Sequence, residues 1–242
     1  TAYAEDNDSY LVGGSNYHNT STWPWSTPYR WTERPLYDDD DNPAPPYNDP
    51  YPPDDEFTME YRLNGIRAGA LYAYTQDPDI YHCPGDRTFV QYPEPQAAWR
   101  SYAIAGLMNG EDFVSRENNN LYEPIAEYRT VGGRTLHCVA SYDEIRSPGN
   151  KYVFVEEKYA GEQNFNAGSF VLIGSDSYDN WWDVPADYHN DQSTLGFADG
   201  HAEMRKWRDP RTLALIQGET TLPNGDPVTE YQPNNQDLQW MV

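Results

Sequence analysis

The 242-residue chain carries 39 Asp and Glu against 16 Lys and Arg, a formal net charge of −23. Binding to nucleic acid is excluded, because contact with phosphates needs clustered cations that release counterions, and no apolar run approaches the roughly 18 residues of a membrane helix, so neither a membrane span nor a signal peptide is read in this chain. Leu, Ile, Val and Phe number only 38, a fraction that at this charge points to disorder, but 21 Tyr and 8 Trp add large side chains that bury area while keeping a polar handle; a folded, aromatic-cored domain over 1–242 is expected.

In chain order, Thr1 to Ala4 reads as the stub of a helix, followed by the polar turn Glu5 to Ser9. Residues 23–55 hold nine prolines and seven aspartates among Trp23, Trp25, Trp31 and several tyrosines. Such a segment makes neither a regular helix nor a central strand, so an extended loop or arm is predicted, with Asp38–Asp41 as a solvated turn. Apolar residues at Ile66, Ala70, Ala73 and Tyr74 place a helix over Asn64 to Thr75, ended by Pro78. Cys83 to Asp86 is a turn, Ser101 to Leu107 a buried strand, and 108–125 a surface excursion. Lys151–Glu156 and Ser169–Ile173 are β-branched and aromatic strands. Thr194–Asp199 and His201–Lys206 form a hairpin through Gly200. Asp209 caps a short helix with Pro210 at its first position, and the tail from Thr220 reads as turns. The fold class is α+β, an antiparallel sheet with few short helices and long irregular loops.

Cys83 and Cys138 match no zinc or redox spacing. They either close a 55-residue loop as one disulfide, stabilising by about 4 kcal/mol on the chain-entropy model, or remain two buried thiols in a reducing compartment. The scarcity of Lys beside abundant Tyr, Trp, Asn and Asp favours the bridge and an extracellular setting. The densest polar cluster is Asp176, Asp179, Asp183, Asp187, His189, Asp191, Asp199 and His201, interleaved with Trp181 and Trp182. Converging carboxylates repel unless a cation neutralises them, and Ca²⁺ accepts irregular oxygen sets. The competing reading has each carboxylate capping a turn through backbone N–H groups. Histidine pairs at metalloprotease spacing, a nucleophile elbow and a glycine-rich phosphate loop are all missing from the sequence. A hydrolase built on the 176–201 cluster is therefore the weakest alternative, and Asp199 and His189 are expected to be structural. Carbohydrate stacking on Trp23, Trp25, Trp31, Trp181 and Trp182 is a further alternative.

His189, nine residues, then Asp199-Gly200, in the context WWDVPADYHNDQSTLGFADGHAEMRKW, resembles the signature of the pseudopilin-like proteins of planctomycetes and verrucomicrobia, which carry a type II secretion or type IV pilin-style N-terminal helix. YAEDNDSYLVG (3–13), LNGIRAGALYAYTQDPDIYHCPGD (63–86), RSYAIAGLMNG (100–110), IRSPGNKYVFVEE (145–157) and Asn235–Trp240 are similar to further segments of that family. The resemblance covers nearly the whole chain and implies a pilin-like globular head, a non-enzymatic subunit of an extracellular or cell-surface filament or secretion pseudopilus. It further implies self-association, other pseudopilins as partners, and Ca²⁺ in a loop near the C-terminal sheet. The family's assembly helix is not among these residues; if the mature protein lacks it, polymerisation is expected to rely on head-to-head contacts through the 23–55 arm. A secreted carbohydrate-binding or adhesive module acting on surface polysaccharide is the alternative.

Overall fold

The computed structural model describes residues 2–14, 31–32, 59–87, 99–105, 128–131, 134–136, 139, 141–158, 168–170, 179–181 and 183–241. Its centre is a five-stranded sheet built from β1 (Tyr102–Ala105), β4 (Tyr152–Glu156), β5 (Ser169–Phe170), β6 (Gln192–Phe197) and β7 (Ala202–Lys206), in the order β5-β1-β4-β6-β7. Four of these strands run antiparallel, and β5 joins the β1 edge in parallel. β2 (Tyr128–Val131) and β3 (Arg134–Leu136) form a separate two-stranded ladder. The helices are short: α1 (Ala2–Asp6), α2 (Met59–Ala68), α3 (Tyr72–Thr75), α4 (Pro210–Ile216) and α5 (Gln236–Met241). This is the α+β fold expected from the sequence.

The two-residue repeat of the strands sends side chains to opposite faces, and both faces are covered. Ala103, Val155, Leu195 and Phe197 pack with Phe170, Trp181 and Trp207 under Ile216 of α4 and Leu238 and Met241 of α5. Ile104 and Ala105 pack on the other side with Trp31, Tyr81 and Ile66 of α2, against partly buried Phe154. Aromatic rings take the place of the missing aliphatics. Trp31 stacks on Tyr81 with centroids 5.8 Å apart, and Trp181 meets Trp207 edge to face at 6.0 Å. Each buried indole removes about 200 Å² from water, about 5 kcal/mol at 25 cal/mol per Å². Their polar atoms are largely met: Trp31 Nε1 donates to Gly168 O at 3.0 Å, and Trp207 Nε1 to Ala186 O at 2.8 Å.

Several expectations are corrected. Trp31 and Trp181 are 1% and 0% exposed, so neither can stack on a sugar; the core needs their area. Trp23, Trp25 and Trp182 lie outside the described residues, as do the excursion at 108–125 and, apart from Trp31 and Thr32, the 23–55 segment. The helix expected over 64–75 begins earlier and is cut after Ala68, because Gly69 lets the Trp31–Thr32 backbone cross there. α3 ends on Gln76 in the left-handed region at φ 54°, before Pro78. The tail holds α5 as well as turns. Asn235 Oδ1 accepts from Asp237 N at 2.8 Å and Leu238 N at 3.1 Å, an N-cap that the sequence reading passed over. No helix among the described residues is long and apolar enough to cross a membrane.

Candidate functional site

His189 and Asp199-Gly200 sit at opposite ends of β6. His189 opens a tight turn in which Asn190 and Asp191 both adopt positive φ, at 59° and 62°, and His189 N donates to Gln192 O at 3.2 Å. Asn and Asp tolerate this conformation, and two successive positive φ values match the right-handed twist of paired strands. At the far end Gly200, at φ 96°, turns the chain into β7, with Gly200 N donating to Phe197 O at 3.0 Å. Six strand residues at about 3.4 Å each put the two ends about 20 Å apart. The spacing of nine residues is therefore one strand and its two turns.

This separation decides the fate of the acidic cluster. No three of Asp179, Asp183, Asp187, Asp191 and Asp199 bring carboxylate oxygens within 4.8 Å of one another, and Asp176 lies outside the described residues. Each of the described residues instead has its own separate neighbours. Asp179 Oδ1 accepts from Asn234 N at 3.4 Å. Asp183, 2% exposed, lies in the field of the buried Arg100, whose guanidinium burial pushes below its ordinary pKa while Glu157 and Asp183 pull it back. Asp187 faces Lys158 Nζ at 3.7 Å. Asp191 acts through its backbone, its O accepting from Trp207 N at 2.9 Å. Asp199 Oδ1 accepts from His201 N at 3.1 Å and pairs with His201 Nδ1 at 2.5 Å. Those bonds hold the Asp199 carboxyl below its usual pKa and raise that of the His201 imidazole. The His201 ring also stacks on Phe197, 4.4 Å between centroids.

The one convergence of three potential ligands among the described residues lies at the other end of β6, and only His189 of it belongs to the expected set. Cys83 Sγ is 3.2 Å from His189 Nε2, and the same nitrogen is 3.0 Å from Glu156 Oε1. Three elements deliver these groups. Glu156 ends β4 opposite Tyr102 of β1, which puts its side chain on the face that carries Ile104 and Phe154. It is fully buried, and Oε2 accepts from Thr194 N of β6 at 2.7 Å. Cys83 follows the 3₁₀ turn Pro78–Tyr81 and is fixed from below. Its N donates to Ser101 Oγ at 3.0 Å, and Ser101 Oγ donates to buried Asp86 Oδ2 at 2.6 Å. Gly85 lets the Cys83 turn lie on the His189 turn, since a Cβ there would stand 3.0 Å from Tyr188 O.

Cys83 carries a free thiol, 1% exposed; Cys138, its expected partner, lies outside the described residues. Burial, then the Glu156 carboxylate, push the thiol up to about 11, and the same two influences raise the Tyr102 phenol beside them. This is not the environment of a nucleophilic cysteine, which needs its thiolate favoured and open to substrate. The geometry agrees. A catalytic imidazole uses its two ring nitrogens for nucleophile and orienting carboxylate, whereas here Sγ and Oε1 crowd the same nitrogen.

Sequence reasoning singled out His189 and Cys83 but not their meeting, and it missed Glu156. The signal was faint: one carboxylate closing the run KYVFVE, where continued alternation points it into a covered face. No protein-family model, curated protein or solved structure matches this chain.

Proposed function

We propose that this chain is a structural subunit of an extracellular or cell-surface filament, pilin- or pseudopilin-like, and not an enzyme. One observation carries the reading. The segments HCPGD and YHNDQSTLGFADGH, on which the family resemblance rests, both serve the framework of one antiparallel sheet: the first makes the Cys83 turn, and the second builds β6 with its turn at each end. Among the expected site carboxylates, Asp179 and Asp199 accept backbone N–H bonds and Asp187 faces Lys158, which supports a structural use of these three. Neighbouring subunits and other pseudopilins are the partners in this reading.

At −23 per subunit, like-charge repulsion opposes self-assembly unless cations screen or bridge it. Electron microscopy of the native secreted material, with and without EDTA, tests both parts. The expected outcome is filaments that come apart in EDTA and return when calcium is restored. Dispersed particles in both conditions would count against a filament subunit, and filaments indifferent to EDTA at low salt would count against cation dependence.

A further inference from the structure

The geometry points to a divalent transition-metal site of the zinc class, held by Cys83 Sγ, Glu156 Oε1 and His189 Nε2. These three donors come from a turn, a strand end and a second turn, and all lie within 4.8 Å of one another. Around a tetrahedral ion with bonds of about 2.0–2.3 Å, sulfur and nitrogen stand about 3.5 Å apart and nitrogen and oxygen about 3.4 Å. The observed separations are 3.2 and 3.0 Å. The donors thus need to part by only a few tenths of an ångström to admit the ion.

The surroundings favour a cation at that point. Glu156 is 0% exposed, and burying a carboxylate is costly unless it is paired. A backbone N–H from Gly85 donates to Cys83 Sγ at 3.3 Å and helps to fix the sulfur's position in its turn. Thr194 N already holds Glu156 Oε2, which leaves Oε1 for the ion and fixes the carboxylate's direction. His189 is 30% exposed, giving solvent a route to the fourth position. The donor set of one sulfur, one imidazole and one carboxylate suits zinc-class ions, whereas calcium takes oxygen alone. This site is separate from the calcium screening invoked for filaments and does not depend on it. It is incompatible with a Cys83–Cys138 disulfide.

The test is titration of the full chain, reduced and freed of chelator, with Co²⁺ followed by Zn²⁺. One Co²⁺ per chain should give a thiolate-to-cobalt charge-transfer band and the visible bands of tetrahedral cobalt, displaced by Zn²⁺ and not by excess Ca²⁺. Cys83→Ser should abolish the charge-transfer band, and Cys83→Ser and His189→Gln should each weaken Zn²⁺ binding by at least about tenfold. Cys138→Ser should leave the spectrum unchanged. A wild-type spectrum without the thiolate band at one equivalent overturns the site, and that reading needs no variant to fold. So does a band that survives Cys83→Ser and disappears in Cys138→Ser, or a Cys83–Cys138 bridge found by mass spectrometry of the native protein.

Discussion

Asp209 shows how single carboxylates in this acidic chain have been given structural work. It precedes Pro210 and caps α4, Oδ1 accepting from Arg211 N at 3.0 Å, while the Arg211 guanidinium grips both oxygens at 3.0 and 2.8 Å. Burial alone would raise its pKa, but the bonds from Arg211 outweigh burial and hold the carboxyl below the usual range. A depressed carboxylate contributes its full stability above the unfolded value near 3.9 and loses it as pH falls through the lower folded value. Asp209→Ala should therefore cost about 1–2 kcal/mol at pH 7. In urea unfolding, the gap to wild type should narrow as pH drops below about 4. A gap that is the same at pH 7 and in acid would show that the ionised cap contributes nothing. The sequence displayed this residue openly, because Asp-Pro at a helix start is a local signal. Glu156 illustrates the opposite case. Its only local signal is the faint alternation of the run KYVFVE, and the pairing of β1 with β4 decides that this carboxylate is enclosed.

Elements in this chain are set by close backbone approaches as much as by propensity. α2 stops at Ala68 because the Trp31–Thr32 segment lies against Gly69, where a Cβ would be 2.2 Å from Trp31 O and 2.6 Å from Thr32 Cα. Both obstacles are backbone and cannot swing aside. Gly69→Ala should destabilise by about 1–3 kcal/mol, the range for overpacking, although Ala is ordinarily the better helix residue. Ala68→Gly, one residue away, exposed and at the last helical position, should cost less than about 1 kcal/mol, the propensity penalty of a helix interior. Melting curves for the two variants separate the causes, and a Gly69→Ala protein as stable as wild type would mean that the contact is not made in solution. The same distinction explains what could be read from sequence. The β6–β7 hairpin and α4 announced themselves by alternation, Asp-Gly and Asp-Pro. The break at Gly69 did not, since it depends on a segment 37 residues earlier crossing the helix end. α5 carried a cap signal in Asn235, but Pro233 and Asn234 made the stretch read as turn. The Cys83–His189 contact spans 106 residues, and no local pattern encodes it.

For the whole molecule, the balance lies between an aromatic core and a repelling surface. Trp31, Trp181 and Trp207 are essentially enclosed, so burial is strong, and partly buried ion pairs such as Arg205 with Asp237 Oδ1 at 3.4 Å engage some of the 16 cations. The remaining excess of carboxylates acts at longer range than any single pair. At an ionic strength of 0.01 M the screening length is about 30 Å, comparable with the domain, and at 0.15 M it falls to about 8 Å. Self-repulsion in the folded state should therefore relax as NaCl is added, and the urea midpoint should rise between those two concentrations. If exposed pairs such as Arg67–Glu60 at 2.7 Å dominated instead, salt would weaken them and the midpoint would fall. A rising midpoint makes the subunit's charge a brake on both folding and assembly, relieved by the same ions. A falling or unchanged midpoint would place the acidic surface in local networks and remove the electrostatic reason for cation-dependent filaments.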